Sequence, residues 1–170
     1  MGGFLYSVIR AEPSRVSVEF SLRPYRDEDF QRLYEIDQAC FPRGVAYSRR
    51  MLRWFLAEPG AECIVAESAG EIAGFVLTDR RKSEGHIVTL DVLEAYRRQG
   101  LGSALLEAAE RGLAARGVSK VYLETATTNA AAVAFWQKHG YRTADVLPGY
   151  YSNGDDAYEM SKTLTPARES

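Results

Sequence analysis

Apolar and polar positions show no clear period over about the first twenty residues and become regular afterwards. Residues 1–20 are therefore predicted to form a flexible extension, residues 21–164 a single domain, and residues 165–170 a disordered tail. Helical spacing of apolar positions predicts a first helix over 27–41, capped by Asp27, and a second over 48–57. On the first helix the regularly spaced positions are Phe30, Leu33, Tyr34, Ile36 and Asp37.

A change to alternating and β-branched positions predicts strands over 62–67, 71–78, 86–93, 118–126, 141–147 and 156–164. Two further amphipathic helices are predicted over 101–116 and 129–139, and Gly117 and Gly140 suit their ends. Two helices thus precede three strands, and a helix, a strand, a helix and two strands follow. This order predicts an α/β (α+β) fold, in which a mixed central sheet carries helices on its faces.

Composition excludes several classes of function. The 170-residue chain has a formal net charge of −2, so bulk positive charge cannot drive nucleic-acid binding, and no nucleic-acid partner is expected. Apolar runs are too short to predict a membrane span and the first residues do not fit a secretory signal, so a cytoplasmic protein without a membrane partner is expected. Cys40 and Cys63 fit no metal or redox spacing; no metal is expected, and both are interpreted as buried thiols in a reducing compartment.

A glycine-bearing loop with two arginines links the predicted 86–93 strand to the 101–116 helix. Gly100 and Gly102 let the backbone turn sharply and bring N–H groups close to a ligand. The start of the helix adds unpaired donors and the positive end of its dipole. With Arg97 and Arg98, these features suit a pyrophosphate group. A strand-to-helix turn with solvated arginines stays open, because short glycine patterns are common.

The pattern Arg97-x-x-Gly100-x-Gly102 resembles the acetyl-CoA signature of the GNAT superfamily of N-acetyltransferases. Other stretches resemble RimI-type ribosomal-protein alanine acetyltransferases, archaeal amino-terminal acetyltransferases, or both; these lie at 85–90, 122–132, 135–141 and 149–160. The resemblance spans residues 22–164. It implies acetyl-CoA as the cofactor and the GNAT fold, in which about four helices flank a mixed sheet of about six to seven strands.

The resemblance also implies a set of cofactor contacts. In the superfamily, backbone N–H groups of a splayed fourth strand polarise the thioester carbonyl, and the matching residues here are Leu90, Asp91 and Val92. The other matching positions are Arg97, Arg98, Gln99, Gly100, Leu101, Gly102, Asn129 and Trp136. A plain strand, and a helix N-cap role for Asn129, remain the alternatives.

One position departs from the RimI-type pattern. Those enzymes carry a tyrosine as general acid where this chain has Trp136. An indole N–H is not an acid at neutral pH. Trp136 can therefore pack beside the thioester and pantetheine, but it is assigned no role in proton donation.

Two residues match catalytic positions of the relatives. Glu124 matches the general base of the RimI group, and His86 matches a second catalytic position of the archaeal group, where base and histidine act through a water. Strand alternation places Tyr122, Glu124 and Ala126 on one face, so a carboxylate stands among apolar strand residues. A solvent-facing or salt-bridged Glu124, and His86 as a polar start to its strand, are the structural alternatives.

The resemblance further implies a channel for a peptide. Tyr150 and Tyr151 match hairpin tyrosines that hold the backbone of an incoming peptide. The opposite wall in relatives is the loop between the first two helices, which here contains Phe41, Pro42 and Tyr47. Turn-flanking aromatics and a simple helix–helix loop are the alternatives.

The predicted activity is therefore transfer of an acetyl group from acetyl-CoA to the α-amino group of protein N-termini, by direct attack in a ternary complex, with a ribosomal protein as one candidate substrate. An α-amine has a pKa of about 7.7–8.0 against about 10.4 for a lysine, so much more of it is neutral at pH 7. The alternatives are acetylation of a small amine or a lysine side chain, and a non-catalytic acyl-CoA-binding module. A monomer or weak homodimer is expected.

Overall fold

The computed structural model describes residues 18–165, which form one seven-stranded sheet with helices on both faces. The extension and tail predicted at the two ends lie almost entirely outside the described residues. The strands are β1 Ser21–Pro24, β2 Ala61–Ser68, β3 Glu71–Arg81, β4 Glu84–Val92, β5 Lys120–Ala126, β6 Arg142–Leu147 and β7 Ala157–Thr163. Their order across the sheet is β1-β2-β3-β4-β5-β7-β6. The predicted mixed sheet is confirmed.

Four α-helices connect these strands: α1 Phe30–Cys40, α2 Arg49–Ala57, α3 Leu101–Ala115 and α4 Ala130–Lys138. All four were predicted, with ends that differ by a few residues. Within residues 18–165, none of the helices is both long and apolar enough to cross a membrane.

The predicted Asp27 cap of the first helix is wrong. A 3-10 turn, Asp27–Asp29, precedes α1, and Asp29 rather than Asp27 accepts a backbone N–H, that of Arg26, at 2.8 Å. The guanidinium of Arg23 also binds Asp29, at 2.7 Å, and this hydrogen bond is the main cause that lowers the pKa of Asp29. The chain entry into α1 is thus fixed by an ion pair with β1.

Strand β1 itself was not predicted. It has four residues, too few for a period-2 pattern to stand out, and its burial is only partial. It pairs antiparallel with β2, with Leu22 opposite Ala66. The sheet therefore gains an edge strand from a segment that the sequence pattern left unassigned.

Two hydrophobic clusters enclose the sheet, one on each face. Helices α1 and α2 cover the first face, where the fully buried side chains include Leu33, Ile36, Leu52, Val65, Phe75 and Leu77. Helices α3 and α4 cover the second face, where they include Ala66, Ala73, Leu105, Leu113, Val121 and Met160. Because both faces are covered, β3 is buried on both sides and reads as a continuous apolar run.

The pairing between β4 and β5 is short. Every other neighbouring pair in the sheet is antiparallel, but these two strands are parallel and share only three paired positions, the last of which joins His86 to Tyr122. Pairing of β4 with β3 shifts by one residue at Leu77/Thr78, which leaves Val88 as the extra residue of a bulge. Beyond these positions β4 and β5 separate, and a cleft opens between their carboxyl-terminal halves.

The start of α2 provides a stability test. Ser48 is the N-cap, and its hydroxyl accepts the backbone N–H of Met51 at 3.1 Å. Ser48→Ala is expected to lower the free energy of unfolding by about 1 kcal/mol, because that N–H loses its partner. Urea denaturation measures the change. Ser48→Thr is the control and should keep most of the stability; equal stability of the alanine variant would contradict the capping role.

Candidate active site

The histidine and the glutamate singled out in the sequence meet at the mouth of the cleft. His86 lies on β4 and Glu124 on β5, two residues beyond the last paired position. His86 Nε2 lies 2.7 Å from Glu124 Oε2, and 18% and 15% of the two side chains remain exposed. The His86 ring also stacks on Tyr122, with centroids 4.6 Å apart and planes at 12°. The two side chains are thus in direct contact, and their action through a water stays a prediction.

Three tyrosines surround this carboxylate. Burial raises the pKa of Tyr150 to about 12, and the charge of Glu124 is the second cause. Burial is also the main cause that raises the pKa values of Tyr47 and Tyr151, and Glu124 again contributes. All three hydroxyls therefore stay protonated at neutral pH. Those of Tyr150 and Tyr151 can donate hydrogen bonds near His86 and Glu124 without adding charge.

The two loops predicted as channel walls contact each other. The loop between α1 and α2 meets the loop between β6 and β7 where Ser152 Oγ donates to the carbonyl of Gly44 at 3.1 Å. Gly44 has φ +91°, and a Cβ placed there would lie 2.6 Å from Cβ of Asn153. Glycine thus permits both the left-handed conformation and the close approach.

The predicted wall residues differ in how firmly they are held. The Tyr47 hydroxyl donates to the carbonyl of Val88, the bulge residue of β4, at 3.1 Å. Phe41 is half-buried, and Pro42 is exposed at a turn in which its carbonyl accepts the N–H groups of Val45 and Ala46. Tyr47 is therefore fixed to β4 by this hydrogen bond, whereas Phe41 and Pro42 shape the loop.

The loop before α3 has the conformation expected of an anion-binding turn. Gly100 is the N-cap of α3 with φ +87°, and Arg98 also has a positive φ of 59°. A Cβ on Gly102 would lie 3.3 Å from Phe135, so glycine allows the first turn of α3 to pack closely against α4. The first N–H groups of the helix, from Leu101 onward, have no partner within the helix and point toward any anion bound there.

Two polar side chains of this loop are engaged internally. Arg97 Nε donates to the carbonyl of Val92 at 2.8 Å, which ties the loop to the end of β4. Gln99 Nε2 donates to the carbonyl of Ala95 at 3.1 Å. A diphosphate would therefore be held mainly by main-chain groups, and the side chains shape the turn.

The three strand residues predicted to polarise the thioester lie beyond the bulge. Leu90 is half-buried against the α3 and α4 side, Val92 is buried, and the side chain of Asp91 is enclosed on the opposite face. None of the three pairs with β5. Their edge of β4 consequently faces the cleft instead of a neighbouring strand.

The last two predicted cofactor residues lie at the start and in the middle of α4. Asn129 is the N-cap, because its Oδ1 accepts the backbone N–H of Ala132 at 3.1 Å, so the capping role is present. Trp136 is only 7% exposed and packs edge-on against Phe135 and Tyr141 in the core. Its predicted contact with pantetheine is limited to that small exposed edge.

Comparison with known proteins places this geometry in a family. Residues 30–141 match the acetyltransferase (GNAT) family. This chain belongs to the GNAT family. It is 31% identical over 159 residues to the N-alpha-acetyltransferase of Sulfurisphaera tokodaii, an alignment that covers 86% of this chain and 94% of the relative.

Solved structures agree with this assignment. The ribosomal-protein-S18-alanine N-acetyltransferase of Escherichia coli superposes on this GNAT protein with a TM-score of 0.78 at 27% identity, over 88% of this chain and 97% of the other. Ard1 from Thermoplasma volcanium superposes with a TM-score of 0.79 at 28% identity, over 86% and 98%. The predicted fold, family and acyltransferase class are confirmed.

Several contributors to this GNAT site were not predicted. Tyr122 stacks on His86, Gly44 and Ser152 join the two walls, and Asp37 accepts the backbone N–H of Tyr47 at 2.7 Å. Two signals were available in the sequence. Tyr122 shares its strand face with Glu124, and Asp37 occupies a buried stripe of α1 where an apolar side chain would be expected.

Cys40 and Cys63 allow a test of whether a thiol takes part in the reaction. Burial is the main cause that raises the pKa of Cys40 to about 11, and burial also raises the pKa of Cys63. At pH 8, alkylation of Cys40 by iodoacetamide is expected to be about 100-fold slower in the folded protein than in guanidinium, because so little thiolate is present. Mass spectrometry of the labelled peptides measures both rates. Rapid labelling that abolished acetyl transfer would instead indicate a catalytic thiol.

Proposed function

We propose that this chain transfers an acetyl group from acetyl-CoA to the α-amino group of protein N-termini. The observation that carries the proposal is the 2.7 Å contact between His86 and Glu124, placed where β4 and β5 separate. The relatives are named for N-alpha-acetylation and for acetylation of the alanine of a ribosomal protein. The site offers what this reaction requires: a base, neutral donors, and a channel between two walls.

The donor side of the cleft fits coenzyme A. The N–H groups at the start of α3 suit its diphosphate, and the unpaired edge at Leu90, Asp91 and Val92 offers main-chain donors for a thioester carbonyl. Acetyl-CoA would supply the acyl group as a thioester, whose carbon–sulfur bond is exchanged for an amide bond. A thiolate is a good leaving group, with an ordinary pKa near 8.5, so the site functions without an acid at Trp136.

The acceptor side fits an α-amine. At pH 7 roughly a tenth of α-amino groups are already neutral, against fewer than about one lysine in a thousand. The Glu124 carboxylate, hydrogen-bonded to His86, takes the proton that the attacking nitrogen releases. One carboxylate is a sufficient base for a group that is so nearly neutral.

The walls favour a peptide over a small polyamine. Tyr150 and Tyr151 present neutral hydroxyls that can donate to main-chain groups of a peptide. Tyr47 is held by its own hydrogen bond to Val88, and the contact between Gly44 and Ser152 joins the two walls. A small polycation would be bound better by several carboxylates. A peptide library varied at its first two residues, assayed with acetyl-CoA, tests the proposal directly. N-terminally blocked peptides that contain lysine, and free polyamines, are the controls; faster acetylation of either would contradict it.

Glu124→Gln is expected to lower kcat on the best peptide about 100-fold, because the site loses a positioned base while the shape of the side chain is kept. Steady-state kinetics measures the loss. Calorimetry with coenzyme A serves as the control, since affinity for the donor should not change. Unchanged turnover would exclude Glu124 as the base.

Gly44→Ala is expected to raise KM for the peptide about tenfold, equivalent to about 1.4 kcal/mol. The added methyl group collides with Asn153 and separates the two walls. Gly154→Ala is a matched control, because Gly154 lies in the β6–β7 loop with the same φ of 91° but with nothing within 4 Å of the added Cβ. Equal effects of both substitutions would show that backbone strain, and not the contact between the walls, limits peptide binding.

A further inference from the structure

Two aspartates are buried together beneath the active site. Asp37 on α1 has no exposed surface, and Asp91 on β4 is 1% exposed. They come from different elements, and each carboxyl group influences the pKa of the other. Burial of two like charges in contact is strongly unfavourable, so the pair requires a specific explanation.

The hydrogen bonds of the pair imply a shared proton. Asp37 Oδ2 accepts the backbone N–H of Tyr47 at 2.7 Å, and Asp91 Oδ1 accepts the hydroxyl of Thr89. Asp37 Oδ1 and Asp91 Oδ2 are the buried oxygens for which no donor is present. Two carboxylates only accept hydrogen bonds, so the bond between them forms when one of the two carries a proton. A single proton satisfies both oxygens at once.

The proton belongs on Asp91. Asp37 already accepts from a main-chain N–H, a donor that cannot be reversed, and Gln38 Nε2 lies 3.4 Å from the same Oδ2. Burial raises the pKa of Asp91 well above its ordinary value and that of Asp37 to about 6, and the bond between them raises the pKa of Asp91 and lowers that of Asp37. Asp91 is therefore the donor and Asp37 the acceptor.

The other ionisable groups that face the pair come from four elements. Arg97 from the loop before α3 is the nearby cation, and the neutral groups are the thiols of Cys40 and Cys63 and the hydroxyl of Tyr47. Arg97 lowers the pKa of Asp91, but burial and Asp37 outweigh it. The pair with its one proton thus carries a single negative charge, and Arg97 is the cation nearest to it.

We propose that Asp37 is a positioning residue of the active site and that the proton it shares with Asp91 holds it in place. Asp37 fixes the main chain of Tyr47, and the hydroxyl of Tyr47 donates to the carbonyl of Val88 at the bulge of β4. Asp91 lies three residues further along the same strand. The aspartate pair and the two hydrogen bonds of Tyr47 therefore connect α1, the α1–α2 loop and β4 to one another.

Loss of the shared proton breaks the connection between Asp37 and Asp91. Two adjacent carboxylates then repel each other inside the protein, and α1 and β4 lose their link. Because both pKa values are raised, the folded state binds protons that the unfolded chain releases above about pH 4. The contribution of the pair to stability is therefore fully present below about pH 4 and declines as pH rises through the raised pKa values, of which that of Asp37 is about 6.

Asp91→Asn keeps the contacts of the pair without its proton, because the amide NH₂ donates to Asp37 and the amide oxygen still accepts from Thr89. Asp37→Asn keeps them as well, because its amide oxygen accepts the N–H of Tyr47 while its NH₂ donates to an ionised Asp91. Asp37→Ala loses both contacts. At pH 7, Asp37→Ala is expected to lose at least about tenfold in kcat/KM, and Asp37→Asn to lose much less. Equal losses, or the reverse order, would overturn the positioning role.

A measurement without substrate tests the proton itself. The infrared carbonyl band of a protonated carboxylic acid should be present in the wild-type protein at neutral pH and absent from Asp91→Asn. The unfolding free energy of Asp91→Asn should also decline less with rising pH than that of the wild type. A missing band, or identical pH slopes, would refute the shared proton.

The kinetic comparison rests on the proposed acetyl transfer, whereas the infrared and stability measurements do not, so failure of one proposal is distinguishable from failure of the other. If Asp37→Ala does not fold, Tyr47→Phe replaces it, because this variant keeps the acid pair and removes only the hydrogen bond to Val88. The expected result is a similar loss of kcat/KM with an unchanged infrared band. Wild-type kcat/KM would overturn the positioning role.

Discussion

The active site depends on the early separation of β4 from β5. Two strands that paired along their full length would bury the carboxyl-terminal half of β4 in a continuous ladder and leave its main-chain groups occupied. Here pairing stops at His86 and Tyr122, and the bulge at Val88 turns the following residues away. The same separation leaves the edge of β4 without a strand partner and places Glu124 beside it. In the proposed reaction, donor binding and acceptor activation would therefore both depend on one break in the sheet.

Side chains from outside the sheet hold β4 in this position. The hydroxyl of Tyr47 occupies the carbonyl of Val88, and Arg97 and Cys40 both contact the carbonyl of Val92. These contacts come from the α1–α2 loop, α1 and the loop before α3. The strand is therefore stabilised in its bent form by side chains from three separate segments.

Much of the fold could be predicted from the sequence, because helical spacing of apolar positions, alternation and β-branched runs mark most of its elements. Helices α2 to α4 and strands β2 to β7 were predicted in this way, and their observed ends lie within a few residues of the predicted ones. Strand β1 was missed because four half-buried residues carry too little periodicity. The cap of α1 was misassigned because a short 3-10 turn moves the accepting carboxylate from Asp27 to Asp29.

The sequence indicated which residues belong to the candidate site, but it did not indicate which residues they contact. Parity placed Glu124 on the face of Tyr122, yet its direct bond to His86 depends on where β4 and β5 stop pairing, which no local pattern encodes. Asp37 stood out as a polar residue on an apolar stripe, but Asp91 lies far away in the chain. Gly44 reaches Asn153 in the same long-range way. Contacts of this kind are set by tertiary packing.

Helix α3 also has a mechanical role. The strands β4 and β5 pair at few positions, and the side chains of α3 contact both antiparallel halves of the sheet. Its apolar face packs against β2, β3 and β4, while Glu110 binds Tyr141 and Lys162 on the other half. In the proposed reaction, coenzyme A bound at the amino-terminal end of α3 would therefore contact an element that links the two halves.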